Sequence, residues 1–190
     1  MDTAERLIES TQELLWERGY TGTSPKAIQQ HAGAGQGSMY HHFSGKPELA
    51  LTAMRRSAEQ LIAQADAQLS GGTALERVSA YLLRERDALR GCRVGRMAMD
   101  PDVIDSPELR RPVQETFTWL RGRLAEIVAE GLAAGEFDAA LDPRDTAAMI
   151  TAVVQGGYVL ARAEGSQEPF HQAVRGAVAL LAARSTTAVQ

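Results

Sequence analysis

The eleven residues GAGQGSMYHHF, Gly33 to Phe43, combine side chains that three different chemistries use. Alternating glycines suit a phosphate-binding loop, neighbouring histidines suit a metal site, and a Tyr–His pair beside small residues suits a nucleic-acid backbone. Spacing separates the three. A dinucleotide fingerprint needs G-x-G-x-x-G between a strand and a helix; here Ser38 stands where the last glycine belongs, and no strand pattern precedes it. A Walker loop fails too, because Pro47 follows Gly45-Lys46 and Tyr40 occupies the first glycine position. His41 and His42 are successive residues of a helical pattern, so their side chains diverge by about 100° and cannot face one ion. His31 could approach one of them, but no carboxylate pair nearby completes a ligand set. No metal and no cofactor is expected.

The third chemistry depends on the elements that would carry these residues. Ala4, Leu7, Ile8, Thr11, Leu14 and Leu15 follow helical spacing, and Gly19 closes that helix. Thr23-Ser24-Pro25 restarts the chain with a hydroxyl N-cap and proline at the first helical position, and Gly33 stops it again. After a tight connection, Gln36 to Phe43 forms a third helix. Helices 24–32 and 36–43 then make a helix-turn-helix, whose second helix enters a major groove.

Each residue has a reason in that setting. Gly33 takes a left-handed conformation, Gly35 is a tolerated N-cap, and Gly37 lets the backbone come close to DNA. Gln36 and Ser38 are placed for base edges. Tyr40 and His41 donate to phosphates, and His42 either joins them or hydrogen-bonds within the small core. Lys46, at the start of a fourth helix, adds charge where backbone amides already favour an anion, and Ser24 and Lys26 do the same at the second helix. Ile28, Ala32, Met39 and Phe43 are packing residues. The candidate DNA-binding set is therefore Ser24, Lys26, Gln36, Gly37, Ser38, Tyr40, His41, His42 and Lys46.

Charge is distributed to match. The chain of 190 residues has a net charge of −4, which by itself opposes nucleic-acid binding. Between Arg18 and Arg56, however, five basic residues stand against Glu48 alone, a local +4 that leaves −8 for the rest. Apolar residues at 44% and aromatics at only 5% describe a globular, helix-favouring chain. A lone Cys92 excludes an internal disulfide framework and fits a reducing cytoplasm. The acidic, amphipathic start is unlike a signal peptide, and the longest apolar run, 146–161, is too short and glycine-broken to span a bilayer. A soluble cytoplasmic protein is expected.

Further along, Gly45-Lys46-Pro47 opens a long helix reaching about Leu69, and Gly71-Gly72 breaks the chain. A helix is expected over 73–90, an irregular stretch over 91–105, and a helix from Ser106-Pro107 to about Ala134, with Pro112 either delaying its start or distorting its first turn. Asp142-Pro143 starts a helix ending before Gly165, and Pro169 starts the last, to about Arg184. No period-2 strand pattern and no repeat is present. The chain reads as all-α with about nine helices: a helix-turn-helix domain over 1–47 and a larger helical domain over 48–190, with helix 46–69 linking them.

Ser24-Pro-Lys-Ala-Ile28, Ala32-Gly33, Gln36-Gly37-Ser38-Met39-Tyr40-His41-His42-Phe43 and Lys46…Leu49 together resemble the N-terminal signature of TetR-family transcriptional regulators. The likeness covers about residues 3 to 55. Gly35 stands in place of the family's usual hydroxyl residue, Gln29 in place of its alanine and Ala34 in place of its valine. GQGSMYHHF and the block Gly91-Cys92-Arg-Val-Gly95 are similar to the LmrA/YxaF-like branch. The resemblance implies a homodimer that binds a palindromic operator and is released by a small molecule, with recognition helices about 34–36 Å apart. It also implies an interface built from the last two helices, about 143–164 and 169–184.

The second half carries no nucleophile–base–orienter set, so no enzyme is expected. Val113, Phe117, Leu120, Leu124, Ile127 and Val128 form one apolar helix face, and Trp119 lies off it, suited to a cavity or an interface. Met97 and Met99 suit an adaptable wall or plain core. Gly156-Gly157 inside a helix implies close helix approach or room for a ligand. The candidate effector-binding set is Met97, Met99, Phe117, Trp119, Val153, Gly157 and Tyr158, for a small apolar or aromatic compound. Cys92, between Arg90 and Arg93, is either a reactive thiol or, more commonly, structural.

Overall fold

The structure, a computed structural model, describes residues 2–186. Ten helices and no strand occur among them: α1 (Thr3–Arg18), α2 (Pro25–Ala32), α3 (Gln36–His42), α4 (Lys46–Gln68), α5 (Ala74–Leu83), α6 (Arg93–Met97), α7 (Pro101–Asp105), α8 (Pro107–Ala133), α9 (Pro143–Glu164) and α10 (Glu168–Ala182). The chain is all-α, as expected. It divides into two compact units: residues up to Leu61 with Cys92–Thr116, and Ile62–Gly91 with the residues from Phe117 on. Helices α4 and α8 each contribute to both.

Most boundaries follow local chemistry. Ser24 caps α2 by accepting from the Ala27 amide at 3.1 Å, with Pro25 at the first position. Asp142 caps α9 by accepting from the Asp145 amide at 2.9 Å, and Gly165 ends that helix in the left-handed region at φ 62°. Thr73 and Glu76 form a reciprocal capping box at the start of α5.

Three stretches differ from the expectation. Helix α5 ends at Leu83 rather than near Arg90, because the Arg86 guanidinium folds back onto the helix end. It donates to the carbonyls of Tyr81, Leu82 and Arg84, which a continuing helix would have used. The 91–105 stretch is not irregular but holds α6 and α7. The Cys92 sulfur accepts from the Gly95 amide at 3.2 Å to start the first, and Asp100-Pro101 starts the second. Pro112 does not delay α8, which begins at Pro107 and carries the proline inside it. These two short helices bring the number to ten rather than about nine.

In the first unit α1, α2 and α3 pack on one another, and α6 packs on α1. Its core is Leu7, Leu14, Ile28, Met39 and Leu49, all at most 1% exposed. In the second unit α10 packs on α9 and on α5. Gly157 makes the α9–α10 approach possible: a Cβ there would meet the Phe170 ring at 2.8 Å. Tyr158 stacks on that ring at 4.9 Å between centroids. Gly157 and Tyr158 thus both pack against Phe170 of α10.

Candidate nucleic-acid interface

Helix α3 is presented by its own turn. Gly33 adopts φ 59°, ψ 36°, which a side chain would strain, and Gly35 is an extended N-cap with no side-chain bond. A Cβ at Gly33, Gly35 or Gly37 would meet nothing within 4 Å. None of these glycines is required by internal packing, so Gly37 leaves its backbone open to an approaching molecule. Met39 (0% exposed) and Phe43 (8%) face inward and fix the helix. One departure from the family pattern is accommodated here: the Gln29 side-chain amide donates to the Met39 sulfur at 3.4 Å, tying α2 to α3.

The remaining positions turn outward. Gln36, Gly37, Tyr40, His41 and His42 are exposed, and Ser38 is half-buried. Tyr40 is 49% exposed, unusual for a residue of its size. The two imidazoles lie edge to face at 5.0 Å. The His42 side chain is exposed and, among the described residues, makes no hydrogen bond, so it is not a hydrogen-bonded core imidazole. Among the described residues no three His, Cys, Asp or Glu side chains converge as metal ligands. At the start of α2, Ser24 and Lys26 are exposed beside this surface's own turn.

Lys46 has a different setting. Its ammonium sits 3.8 Å above the centre of the Tyr20 ring, half-buried. Burial lowers its pKa from the ordinary lysine value, while Asp102 and Asp100 oppose that shift. Asp100 is the anchor of this corner. Its carboxylate accepts from the Thr21 amide at 2.9 Å and the Thr21 hydroxyl at 2.8 Å, across 79 residues of sequence. Burial pushes the Asp100 carboxyl up, but these bonds and those from the Tyr20 and Val103 amides outweigh it and hold its pKa below the usual range. Sequence reasoning missed Asp100, which lies in the stretch read as irregular, and nothing local signalled its partner.

The sequence-derived effector candidates fall in both units. Met97 is buried in the first unit, and Met99 is 81% exposed, in no wall at all. Phe117, Trp119 and Val153 are half-buried in the second unit, where Gly157 and Tyr158 pack against Phe170.

Residues 7–53 match the family model for bacterial regulatory proteins of the tetR family, and residues 73–177 match the tetracyclin repressor-like C-terminal domain. The chain belongs to the TetR family. It is similar to the HTH-type transcriptional regulator TcmR of Streptomyces glaucescens, with 30% identity over 84% of this chain and 72% of that protein. It is also similar to the uncharacterized HTH-type regulator YxaF of Bacillus subtilis (strain 168), with 25% identity over 88% and 89%. The crystal structure of a TetR transcriptional regulator from Chloroflexus aurantiacus superposes with a TM-score of 0.84 at 26% identity, covering 96% of each chain. As a TetR-family member this protein is a DNA-binding transcriptional regulator, and its relatives are regulators rather than enzymes. No helix among the described residues is long and apolar enough to cross a membrane.

Proposed function

We propose that this TetR-family protein is a cytoplasmic repressor that binds a palindromic operator as a homodimer and lets go when a small apolar effector binds. The observation that carries the reading is α3 itself: Met39 and Phe43 anchor it inward while Gln36, Gly37, Tyr40, His41 and His42 stand exposed on it. Gln36, Ser38 and the Gly37 backbone address base edges, whereas Ser24, Lys26, Tyr40, His41 and Lys46 address phosphates, and His42 extends whichever contact lies beside it. Dimerisation is supported by the outward face of α9 and α10. Ala148, Ala152, Gly156 and Val159 follow helical spacing and are exposed, as are Gly176, Ala179, Leu180 and Ala183. Val159 at 62% and Leu180 at 69% exposure are costly to leave in water unless another surface covers them.

Footprinting on the DNA upstream of the protein's own gene tests the reading, with a protected two-fold symmetric site as the expected result. Tyr40→Phe and Lys46→Ala should each weaken binding across all sequences, and Lys46→Ala should flatten the salt slope by about one unit. Unchanged affinity and slope in both variants would overturn the contact assignment. Val159→Asp with Leu180→Asp should yield monomers in sedimentation; an unaltered dimer would move the interface elsewhere.

A further inference from the structure

The chain has only two lysines, Lys26 and Lys46. Lys26 stands in solvent near the start of α2, whereas Lys46 is half-buried with its ammonium 3.8 Å above the centre of the Tyr20 ring. Among the described residues that ammonium makes no hydrogen bond and no ion pair. The ring face holds the charge, and the three N–H donors stay unspent.

The ring is itself fixed. Tyr20 is 8% exposed and lies in the turn between α1 and α2. Asp100, the N-cap residue of α7, grips that turn: its carboxylate accepts from the Tyr20 and Thr21 amides. The Thr21 hydroxyl lies 2.8 Å from an Asp100 oxygen and 3.2 Å from an Asp102 oxygen, both within its reach as a donor. Gly19 makes the approach possible, since a Cβ there would lie 2.9 Å from the Asp100 carboxylate. The path from α7 to the ammonium therefore runs through the backbone of the turn and the ring it carries. A free lysine loses much of its rotamer freedom when it grips a phosphate. One already held on a ring has lost part of that freedom beforehand.

We propose that Tyr20 is a positioning residue for DNA binding: its ring holds the Lys46 ammonium where a phosphate meets it, and Asp100 and Asp102 hold the ring through the turn. The step to DNA rests on the reading of Lys46 as a phosphate contact; the seat of the ammonium on the ring does not. Lys26, with no such platform, meets its phosphate as a free side chain.

Having only two lysines makes the test direct. The full chain is labelled with carbon-13 at lysine Cε, and Lys46→Arg identifies the Lys46 signal as the one that vanishes. In the parent, the Lys46 ε-protons should lie upfield of those of Lys26 through the ring current of Tyr20. Tyr20→Phe should keep that shift, Tyr20→Leu should abolish it, and Thr21→Val, which removes the hydroxyl between the two carboxylates, should reduce it. Affinity for duplex DNA from upstream of the protein's own gene should follow the same order. Tyr20→Phe should bind as the parent does, and Tyr20→Leu about tenfold more weakly, the equivalent of about 1.4 kcal/mol. In the Tyr20→Leu background, Lys46→Ala should cost much less than it does in the parent, a coupling that a general loosening of the fold would not produce. An unshifted Lys46 signal in the parent, which needs no variant to fold, overturns the seat. Additive effects of Tyr20→Leu and Lys46→Ala, or tighter binding by Tyr20→Leu, overturn the positioning role. A shifted Lys46 signal in a parent that binds no DNA sinks the repressor reading, and the positioning role with it, and leaves the seat standing.

Discussion

Adjacent glycines in the middle of α9 should respond in opposite ways to the same substitution. A Cβ at Gly157 would lie 2.8 Å from one carbon of the Phe170 ring and 3.4 Å from the next, and 3.5 Å from the Phe170 backbone. Phe170 is 1% exposed and Tyr158 is stacked on its face, so the ring has no free direction in which to retreat. A Cβ at Gly156 would meet nothing within 4 Å. Both alanines gain the same helix propensity, about 1 kcal/mol over glycine. Only Gly157→Ala adds overpacking strain of about 1–3 kcal/mol. Gly156→Ala should therefore stabilise the isolated chain by up to about 1 kcal/mol, and Gly157→Ala should be less stable than it by about 1–3 kcal/mol, the strain alone. Urea denaturation of the two variants and the parent, repeated at several protein concentrations, separates this difference from any effect on self-association. Two variants agreeing within about 0.5 kcal/mol, the usual scatter for independent sites, would refute the packing explanation and return the glycine pair to a role in making room for a ligand.

Asp100→Asn should destabilise the protein at neutral pH. Because the carboxyl's pKa is depressed on folding, its contribution is present above the ordinary aspartate value of about 3.9 and is lost as pH falls through the lower folded value. The gap between parent and variant in urea titrations should close in acid, and a gap independent of pH would refute it. Arg86→Met, which leaves the carbonyls of Tyr81, Leu82 and Arg84 without their donor, should cost about 1–3 kcal/mol in the same assay. Thr73→Ala removes one half of the capping box on α5 and should cost about 1 kcal/mol; an unchanged midpoint would show that Glu76 alone suffices.

Helix ends encoded by their own neighbours were legible in the chain. Ser24-Pro25, Gly33, Asp142-Pro143 and Gly165 each act through a bond or a dihedral within four residues, so type and spacing were enough. The inward and outward sides of α3 were legible for the same reason, since Met39 and Phe43 alternate at helical spacing with Gly37, Tyr40 and His41. The stretch from Arg84 to Asp105 was not. Its organisation depends on Arg86 turning back onto α5 and on Asp100 reaching Thr21, 79 residues away. Neither a guanidinium folding back on its own helix end nor a pairing across 79 residues leaves a periodic trace. The effector candidates were legible only as apolar positions, because aromatic and methionine residues mark apolar surface without saying which apolar surfaces meet.

The Asp100–Thr21 contact, with the Arg93–Glu13 pair, has a consequence for how the molecule is made. On the ribosome, α1 to α3 emerge long before the residues that complete their unit, which ends only at Thr116. Until then the α1–α2 turn lacks its carboxylate and α1 lacks its α6 neighbour, and closing so long a loop is slow compared with local helix formation. The nascent chain therefore passes through an interval in which the DNA-reading helices exist but are not braced, and operator binding should be acquired late in synthesis rather than with the first sixty residues.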